Sequence, residues 1–463
     1  MKDRLRKSLA DATLYPFWLD NPAAPNTEPH LIGRQDADLL IVGGGFTGLW
    51  AAILAKQTEP NRDVILIEAG KVAHGASGRP GGIVSTSVMH GLSNAARIFP
   101  VDLDVLERLG KDNLDAWRQT IEAFGIDADL EWTGEMTVAI DKAGLAELDS
   151  EFSLAKQHGH DIVRLDSTST RMELASPLFQ GAIWSRKRSG TVHPAKLAWG
   201  LKRAALELGV RLFEHTPMTG VEDNQATLTV RTHDGLIRAR RVLFATNAWA
   251  AGHPHIKRRV AAVRDRVLAT EPLTAEQMER LGWKNRQGVY DTRTQLNYTR
   301  LTKDNRIIFG GRVGYYFNDN TDPEQDHKIS TYEVLAGYFA QTFPQLQDVK
   351  FTHAWSGPID LTMRLAVHFQ RYYGGKGVYA GGYSGFGVTT TRFGARVGLD
   401  ILDGKQSDDL NLDFARTLPG RIPPEPFRWI GAKLTMHALD EVDKKGGWRK
   451  QWINLVHKMG FPL

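Results

Sequence analysis

The chain has 463 residues, a formal net charge of +5 and no cysteine. This length exceeds one ordinary hydrophobic core and predicts two interleaved domains. The lack of cysteine excludes disulfides, cysteine-ligated metal sites and thiol nucleophiles, and the basic residues are too scattered to form a stripe that binds nucleic acids.

The first 35 residues are predicted to form an extended arm over the surface, because residues 15–29 combine aromatic side chains with several prolines. The opening residues contain no apolar core of a secretory signal, and no apolar run is long enough to span a bilayer. A cytoplasmic protein without a transmembrane segment is therefore expected.

A glycine-rich turn follows the arm. Residues 39–42 predict a short buried strand and residues 49–56 a helix, and Gly43, Gly45 and Gly48 between them have the spacing G-x-G-x-x-G. Such glycines allow a sharp turn, a close approach of the backbone to a pyrophosphate and tight packing of the helix on the sheet. The free amides of the helix start would face the phosphates.

The second predicted strand, at residues 64–67, ends in an acid. Glu68 follows Gly48 by twenty residues, where a carboxylate is expected to accept hydrogen bonds from a ribose. This context favours a dinucleotide site over a plain strand–helix–strand unit with a charged loop residue. A carboxylate there also disfavours an adenosine that carries a 2′-phosphate.

The loop at residues 71–83 is rich in glycine, which indicates that its backbone passes against a flat ligand. Arg79 in this loop has three open interpretations. It could neutralise a phosphate, lie near a reactive ring or be an ordinary surface arginine.

The middle of the chain alternates between predicted helices and strands. The spacing of apolar residues predicts helices at 101–126, 147–158, 192–208 and 328–343, and strands at 132–140, 181–185, 209–213, 225–232 and 241–247. Alternating strands between 260 and 317, with a hairpin turn at residues 304–305, predict an antiparallel substrate-binding sheet.

The last core segment is a predicted strand at 377–382 that leads through Gly385 and Gly387 into a helix near Val388. A helix start stabilises developing negative charge, such as that on the N1–O2 edge of a reduced flavin. Residues 406–463 predict a basic tail with helices at 427–442 and 447–459, through which an oligomer could form.

The chain contains one dinucleotide fingerprint. Enzymes that pass electrons from a nicotinamide cofactor to a tightly held flavin often carry two. A single site therefore favours a small organic substrate as the source of electrons.

Four stretches of the sequence resemble the D-amino-acid oxidase superfamily of FAD-dependent oxidoreductases. They are VGGGFTGL at 42–49, GASGRPGG at 75–82, RVLFATNAW at 241–249 and GGYSGFGV at 381–388. Within that superfamily, the chain is similar to the bacterial group that includes γ-glutamylputrescine oxidase. The similarity lies in FWLD at 17–20, ATEPL at 269–273 and W-x-G-x-I-D at 355–360.

The resemblance implies an α/β fold in which a Rossmann-like FAD-binding domain is interleaved with an α+β substrate domain that has an antiparallel sheet. The implied division assigns residues 36–100, 186–258 and 350–405 to the FAD-binding domain, and 101–185 and 259–349 to the substrate domain. It also implies hydride transfer from the C–N carbon of a small amine or amino acid to flavin N5. The resulting imine is hydrolysed by water.

The same resemblance implies, position by position, which residues hold FAD. They are Gly43, Gly45, Phe46, Thr47, Gly48, Glu68, Ala69, Ser77, Gly78, Arg79, Gly81, Gly82, Met218, Thr246, Asn247, Trp249, Gly382, Gly385, Phe386, Gly387 and Val388. No histidine of the kind that carries a covalent flavin in relatives stands beside residues 75–82, so the FAD is expected to be non-covalent. No metal is expected.

Five residues on segments predicted to face the flavin are substrate-side candidates: Tyr298, Arg300, Trp355, Arg364 and Phe386. An arginine among them could bind a substrate carboxylate in bidentate fashion. Phe386 stands where the related group often has histidine, so the substrate and the electron acceptor can differ from those of relatives. The acceptor is left open between oxygen, a quinone and another protein, and no general base is named.

Three alternatives stay open. The first is a flavin-dependent hydroxy-acid dehydrogenase on the same fold with a quinone acceptor. The second is a non-catalytic flavin-binding protein whose working surface is the basic tail. The third is an NAD-dependent enzyme, which is disfavoured because the loop at 75–82 and the helix start near residue 388 would then have no ligand.

Overall fold

The computed structural model describes residues 2–253, 256–317, 321–458 and 460. Two eight-stranded sheets and a two-stranded ribbon organise this part of the chain. None of the helices described in it is long and apolar enough to cross a membrane.

The strands, in chain order, share the two sheets and the ribbon. They are β1 (Gly33–Val42), β2 (Val64–Ile67), β3 (Ile83–Ser85), β4 (Glu135–Ala139), β5 (Ile162–Asp166), β6 (Gly181–Ser185), β7 (Ser189–Thr191), β8 (Arg211–Phe213), β9 (Gly220–Asn224), β10 (Thr227–Arg231), β11 (Gly235–Phe244), β12 (Ala261–Thr270), β13 (Gly288–Asp291), β14 (Asn297–Leu301), β15 (Ile307–Gly314), β16 (Phe351–Leu361), β17 (His368–Tyr372) and β18 (Gly377–Gly381).

The α-helices cover the sheets and form both ends of the chain. They are α1 (Lys2–Leu9), α2 (Phe46–Thr58), α3 (Leu92–Ile98), α4 (Leu103–Ala123), α5 (Lys142–Gln157), α6 (Ser167–Glu173), α7 (Pro194–Glu207), α8 (Ala275–Leu281), α9 (Ser330–Thr342), α10 (Gly387–Leu402), α11 (Asp413–Arg416), α12 (Phe427–Lys445) and α13 (Trp448–Lys458). The predicted end of the last helix, Met459, lies outside the described residues.

The first sheet has the order β17-β18-β11-β1-β2-β8, with β10 and β9 paired beside β11. Strands β18, β11, β1, β2 and β8 run parallel to one another, and β17 and β10 pair antiparallel with β18 and β11. Val42 pairs with both Ile67 and Phe244, and Phe244 pairs with Tyr379. The carboxyl ends of four strands therefore meet in one row at one edge of the sheet, which is where open parallel sheets bind ligands.

Helix α2 connects β1 to β2 and is buried almost throughout its first ten residues. It packs against α10 and α7, which explains why its sequence is apolar on every side rather than along one stripe. This burial fixes the start of α2 at the row of strand ends.

The second sheet has the order β16-β12-β15-β14-β13-β4-β6-β5 and is mostly antiparallel. The sequence-based division needs a correction here, because β16 pairs with β12 along its length and so belongs to this sheet. The boundary at residue 350 had placed it with the FAD-binding segments. Alternating apolar residues predict a strand but do not identify the strand with which it pairs.

The arm begins with helix α1 rather than in the extended form predicted for residues 1–35. Trp18, further along the arm, is buried, and its Nε1 donates a hydrogen bond to Pro80 O at 2.8 Å. The arm is therefore anchored on the glycine-rich loop after β2.

Candidate functional site

The turn after β1 brings backbone segments close together. Gly43 has φ +114°, and its N–H donates to Ile67 O at 2.8 Å. A methyl group on Gly43 would lie 2.5 Å from Ala245 O, so only glycine fits between the ends of β1 and β11. A methyl group on Gly48 would overlap Gly43 O. These two glycines are thus explained by packing alone.

Gly45 is different, because the space beside it is open. A methyl group there would meet only Ser77 Oγ, at 3.0 Å. The Phe46 N–H donates to this hydroxyl at 2.8 Å, and Leu49 N–H makes the bond to Gly45 O that begins the helix. The remaining amides of the helix start have no acceptor within the helix, as at any helix N-terminus, and a phosphate fits their chemistry.

Glu68 stands at the end of β2, in the row of strand ends. Its carboxylate accepts hydrogen bonds from Gly44 N–H at 2.7 Å and from Gly70 N–H at 2.9 Å. Burial raises the pKa of Glu68, and these amides oppose the rise. The exposed Ala69 follows it. Each carboxylate oxygen accepts more than one hydrogen bond, so the two backbone bonds leave capacity for ribose hydroxyls.

The loop after β2 has glycines where it contacts the arm and the second sheet. A methyl group on Gly78 would lie 2.7 Å from Leu19 Cδ2 in the arm, and one on Gly81 would lie 2.5 Å from Cε2 of Tyr298. Gly82 has φ +77°. The glycines of this loop therefore meet the arm and the second sheet in addition to any ligand.

Arg79 ties this loop to the second sheet. Its guanidinium pairs with Asp326 at 2.8 Å and donates to His74 O at 2.9 Å and Ser356 O at 2.5 Å. Its own carbonyl accepts Trp355 Nε1 at 2.9 Å. Of the three interpretations left open by the sequence, the structure disfavours an ordinary surface arginine, because the side chain is 15% exposed and its charge is paired with Asp326.

A second glycine turn joins β18 to α10. Gly382 and Gly385 have φ near +94° and +93°, and the carboxylate of Asp360 accepts Gly382 N–H and, at 3.3 Å, Ser384 N–H. Burial raises the pKa of Asp360 to about 7. Gly387 is the first residue of α10, so a helix start faces this edge of the first sheet, as predicted.

The other residues implied to hold FAD lie around the same edge or behind it. Thr246 precedes a short 3₁₀ helix at Asn247–Gly252, and Trp249 within it is half-exposed. Thr47 Oγ1 donates to Tyr383 Oη at 3.0 Å. Met218 packs against the buried apolar cluster of the first sheet, so its side chain is used in packing.

A cavity of about 320 Å³ lies between the two sheets. The loop after β2 and the start of α10 form one side, and strands of the second sheet form the other. The lining residues are Ala76, Arg79, Pro80, Gly81, Gly82, Ile83, Ser85, His90, Asp265, Val267, Tyr290, Thr294, Gln295, Leu296, Tyr298, Gly311, Arg312, Val313, Gly357, Ile359, Leu361, Leu365, Ser384, Gly385, Phe386, Val388, Thr389 and Leu439. This volume is at the lower end of the range of small-molecule sites.

Four lining residues other than glycine have left-handed backbone conformations. They are His90, Arg312, Leu365 and Ser384, with φ between +51° and +61°. Such conformations cost free energy and gather at binding and catalytic sites. Burial lowers the pKa of His90 to about 4, so this imidazole is neutral at pH 7.

Two of the five substrate-side candidates line this cavity. Phe386 lies against His90, with ring centroids 4.4 Å apart. Tyr298 donates a hydrogen bond from its hydroxyl to Oδ2 of Asp265 at 2.6 Å. Burial and the neighbouring carboxylate raise the pKa of Tyr298 well above its usual value, so the phenol stays a donor.

The other three candidates do not line the cavity themselves, although their segments border it through Tyr298, Gly357 and Leu365. Arg300 donates to Val192 O at 2.6 Å and borders a separate hollow of about 310 Å³ beneath the arm. Arg364 donates to Phe414 O at 3.1 Å, and Trp355 to the loop carbonyl described above. Backbone carbonyls accept hydrogen bonds from both guanidinium groups, and neither arginine lines this cavity, where a substrate carboxylate would lie.

The structure adds residues that the sequence analysis did not single out, chiefly Asp265, Tyr290, Arg312 and Leu439. A signal for Asp265 existed, because it is the one acid inside the otherwise apolar and basic strand AAVRDRVLAT. No comparable signal marked Leu439 in the tail. No group of side chains suited to a metal ion occurs among the residues that the structure describes.

Comparisons with known proteins agree with this geometry. The family model described as FAD dependent oxidoreductase matches residues 38–398. The chain is 31% identical over 407 residues to gamma-glutamylputrescine oxidoreductase of Escherichia coli, which covers 85% of this chain and 91% of that protein. It is 30% identical over 386 residues to the probable oxidoreductase OrdL of Haemophilus influenzae, which covers 81% and 85%.

Among solved structures, glycine oxidase from Geobacillus kaustophilus is similar in fold, with a TM-score of 0.67 at 19% identity over 83% of this chain and all of that one. The predictions of the α/β fold class, of FAD and of an enzyme that oxidises amines or amino acids are confirmed at the level of the family. The chain belongs to the family of FAD-dependent oxidoreductases.

Proposed function

We propose that this enzyme oxidises the C–N bond of an amine that enters the 320 Å³ cavity, with FAD held non-covalently at the strand ends of the first sheet. The observation that carries the proposal is the position of the cavity. It lies between the glycine-rich loop after β2, the start of α10 and a wall of the second sheet that contributes a carboxylate and a phenol.

The residues proposed to hold the cofactor are those named in the sequence analysis. The glycine-rich segments among them would contact different portions of the cofactor. The amides beside Gly45 and the helix start of α2 would receive the pyrophosphate, and Glu68 the ribose. The loop after β2 and the start of α10 would flank the ring. When bound, FAD would supply the hydride acceptor for the carbon next to the substrate nitrogen, which would give up its extra proton first, and water would hydrolyse the imine.

The chain itself positions the amine and keeps water away from it. Apolar side chains from both sheets line much of the cavity, among them Ile83, Val267, Ile359 and Leu361. The name of the Escherichia coli relative supports an alkylamine as the substrate rather than a hydroxy acid. Phe386 beside His90 makes the α10 side of the cavity aromatic.

The test is anaerobic titration of the FAD-loaded protein with butylamine, butane-1,4-diamine, γ-glutamylputrescine, sarcosine, glycine and lactate. Bleaching of the flavin spectrum by an amine is expected, and air or a quinone added afterwards identifies the acceptor. Acid precipitation of the same protein should release the flavin to the supernatant if it is non-covalent. Bleaching by lactate alone would favour the hydroxy-acid alternative, and no bleaching by any compound would contradict the proposal.

A further inference from the structure

The cavity lining contains one acidic residue, Asp265, among the residues that the structure describes. Its side chain is partly accessible from the cavity, and removal from water raises its pKa to about 6. A carboxylate in such a place is costly unless a partner compensates its charge. The groups around Asp265 therefore indicate which kind of ligand in the cavity would compensate its charge.

Strand β12 places Asp265 on the wall of the cavity, next to a β-bulge in β15. The pairing of β12 with β15 shifts register between Arg264 and Arg266, where Arg312 and Val313 of β15 lie opposite the single residue Asp265. On the other side it stands opposite Gly357 of β16, which has no side chain to fill the space. Asp265 and Val267 both line the cavity, as expected for side chains two residues apart on one face of a strand.

Tyr298 holds the carboxylate in place, together with the backbone N–H of Arg266. Its hydroxyl lies 2.6 Å from Oδ2, and its ring fits between Gly81 and Gly310, because a methyl group on either would meet the ring. Tyr290 lies beyond it, with ring centroids 6.5 Å apart. The carboxylate therefore lies beside the Tyr298 side chain, and both tyrosines line the cavity, where aromatic faces attract cations.

The charged groups around Asp265 have other partners. Arg266 Nη2 donates to Tyr316 Oη at 3.1 Å, and the guanidinium of Arg312 donates to Tyr338 Oη at 3.0 Å and stacks on that ring. Within the described parts of the chain, no ion pair includes Asp265. The positive charge of Arg266 lowers the pKa of Asp265 less than burial raises it.

We propose that Asp265 binds the ammonium group of the substrate as its counter-ion, with Tyr298 as the residue that positions the carboxylate. The substrate class that follows is a cationic alkylamine. An amino acid is disfavoured, because its carboxylate would lie beside a second negative charge. This inference rests on the proposed function, since it concerns the cavity that the substrate would enter.

The experiment measures binding of probes that cannot be oxidised, so it is independent of turnover. The probes are 2-methylhexan-2-amine, which has no hydrogen on the carbon next to nitrogen, and its neutral counterpart 2-methylhexan-2-ol. Calorimetry on the FAD-loaded protein should show the amine binding at least about tenfold more tightly than the alcohol at pH 7.5. This preference should decline as the pH falls through about 6, where Asp265 becomes protonated.

Asp265→Asn should remove the preference and its pH dependence while the affinity for the alcohol stays the same. Tyr298→Phe keeps the charge and should retain most of the preference. An amine that binds no better than the alcohol to the unaltered enzyme, or equally well to Asp265→Asn, would overturn the proposal. The comparison of the two probes on the unaltered enzyme stands even if a variant fails to fold. Failure of every oxidisable amine to bleach the flavin would instead count against the proposed function.

Discussion

Tyr298 depends on residues that have no side chain. Its ring lies between the loop after β2 and strand β15, where Gly81 and Gly310 leave just enough room. The hydroxyl can therefore reach Asp265 only because positions 81 and 310 carry no side chain. A single added carbon atom is expected to disturb it, because well-packed sites do not absorb extra volume without moving.

Gly81→Ala should slow anaerobic flavin reduction by an amine by about tenfold or more. The new methyl group would lie 2.5 Å from Cε2 of Tyr298. Overpacking costs about 1–3 kcal/mol, and about 1.4 kcal/mol corresponds to a factor of ten in rate. Gly220→Ala is the matched control, because nothing lies within 4 Å of the added group. Equal reduction rates in the two variants would show that the ring position does not matter.

Helix α5 and strand β4 each contribute one carboxylate to their contact, Glu151 from the helix and Glu135 from the strand. Burial, with repulsion from Glu151, raises the pKa of Glu135 to about 7. Burial, with repulsion from Glu147, raises the pKa of Glu151 to about 7 as well. Glu135 Oε2 is buried without a hydrogen-bond partner among the described residues. This contact between helix and strand is therefore weakest when both groups are ionised.

Glu135→Gln should raise the midpoint of thermal unfolding at pH 8 but change it little at pH 4.5. A carboxyl whose pKa is higher in the folded state loses stabilisation as the pH rises from its unfolded value towards 7. One pKa unit corresponds to about 1.4 kcal/mol, so a gain of about 1–3 kcal/mol is expected at pH 8. The exposed Glu122→Gln is the control. A gain that is equal at both pH values would refute the assignment to ionisation.

Many of the helices and strands were predictable from the sequence. The strand at 181–185 and the helix within 192–208 follow from apolar spacing and from Pro194 in the first turn. The pairing of β16 was not predictable, because alternation does not identify the strand with which a segment pairs. Alternation places Asp265 on the same face of β12 as Val267, but it does not show that this face borders a cavity. Likewise, Arg300 and Arg364 have the composition of anion-binding residues, and only tertiary contacts show that backbone carbonyls already bind them.

In the molecule as a whole, the tail completes the cavity. Trp429, Ala432 and Met436 of α12 pack with the cavity-lining residues Val313, Ile359 and Leu361 in one apolar cluster. Leu439 itself lines the cavity, and Gln295 Nε2 donates to Met436 O at 3.4 Å. The sequence predicted helices here but gave no sign of what they cover, because the partners of an amphipathic helix lie elsewhere in the chain.

Leu439→Ala should weaken binding of a short alkylamine and leave the FAD content unchanged. Removal of a buried leucine side chain enlarges the cavity and takes away contacts that a small substrate would make. Leu455→Ala, on the exposed side of α13, is the matched control. The dissociation constant comes from the dependence of the rate of anaerobic flavin reduction on the amine concentration. An unchanged constant in Leu439→Ala would show that the tail lies outside the functional cavity.

The ion pair between Arg79 and Asp326 also has a consequence for how the molecule unfolds. The loop that would receive the cofactor is bonded through it to the second sheet, and through Pro80 to the arm. A ligand at one hundred times its dissociation constant adds about 2.7 kcal/mol to the folded state. The loop contacts both the first and the second sheet, so stabilisation of the loop by the cofactor stabilises the packing of both sheets. The loaded enzyme should therefore melt in one cooperative transition, with the cofactor acting as a structural part of each half.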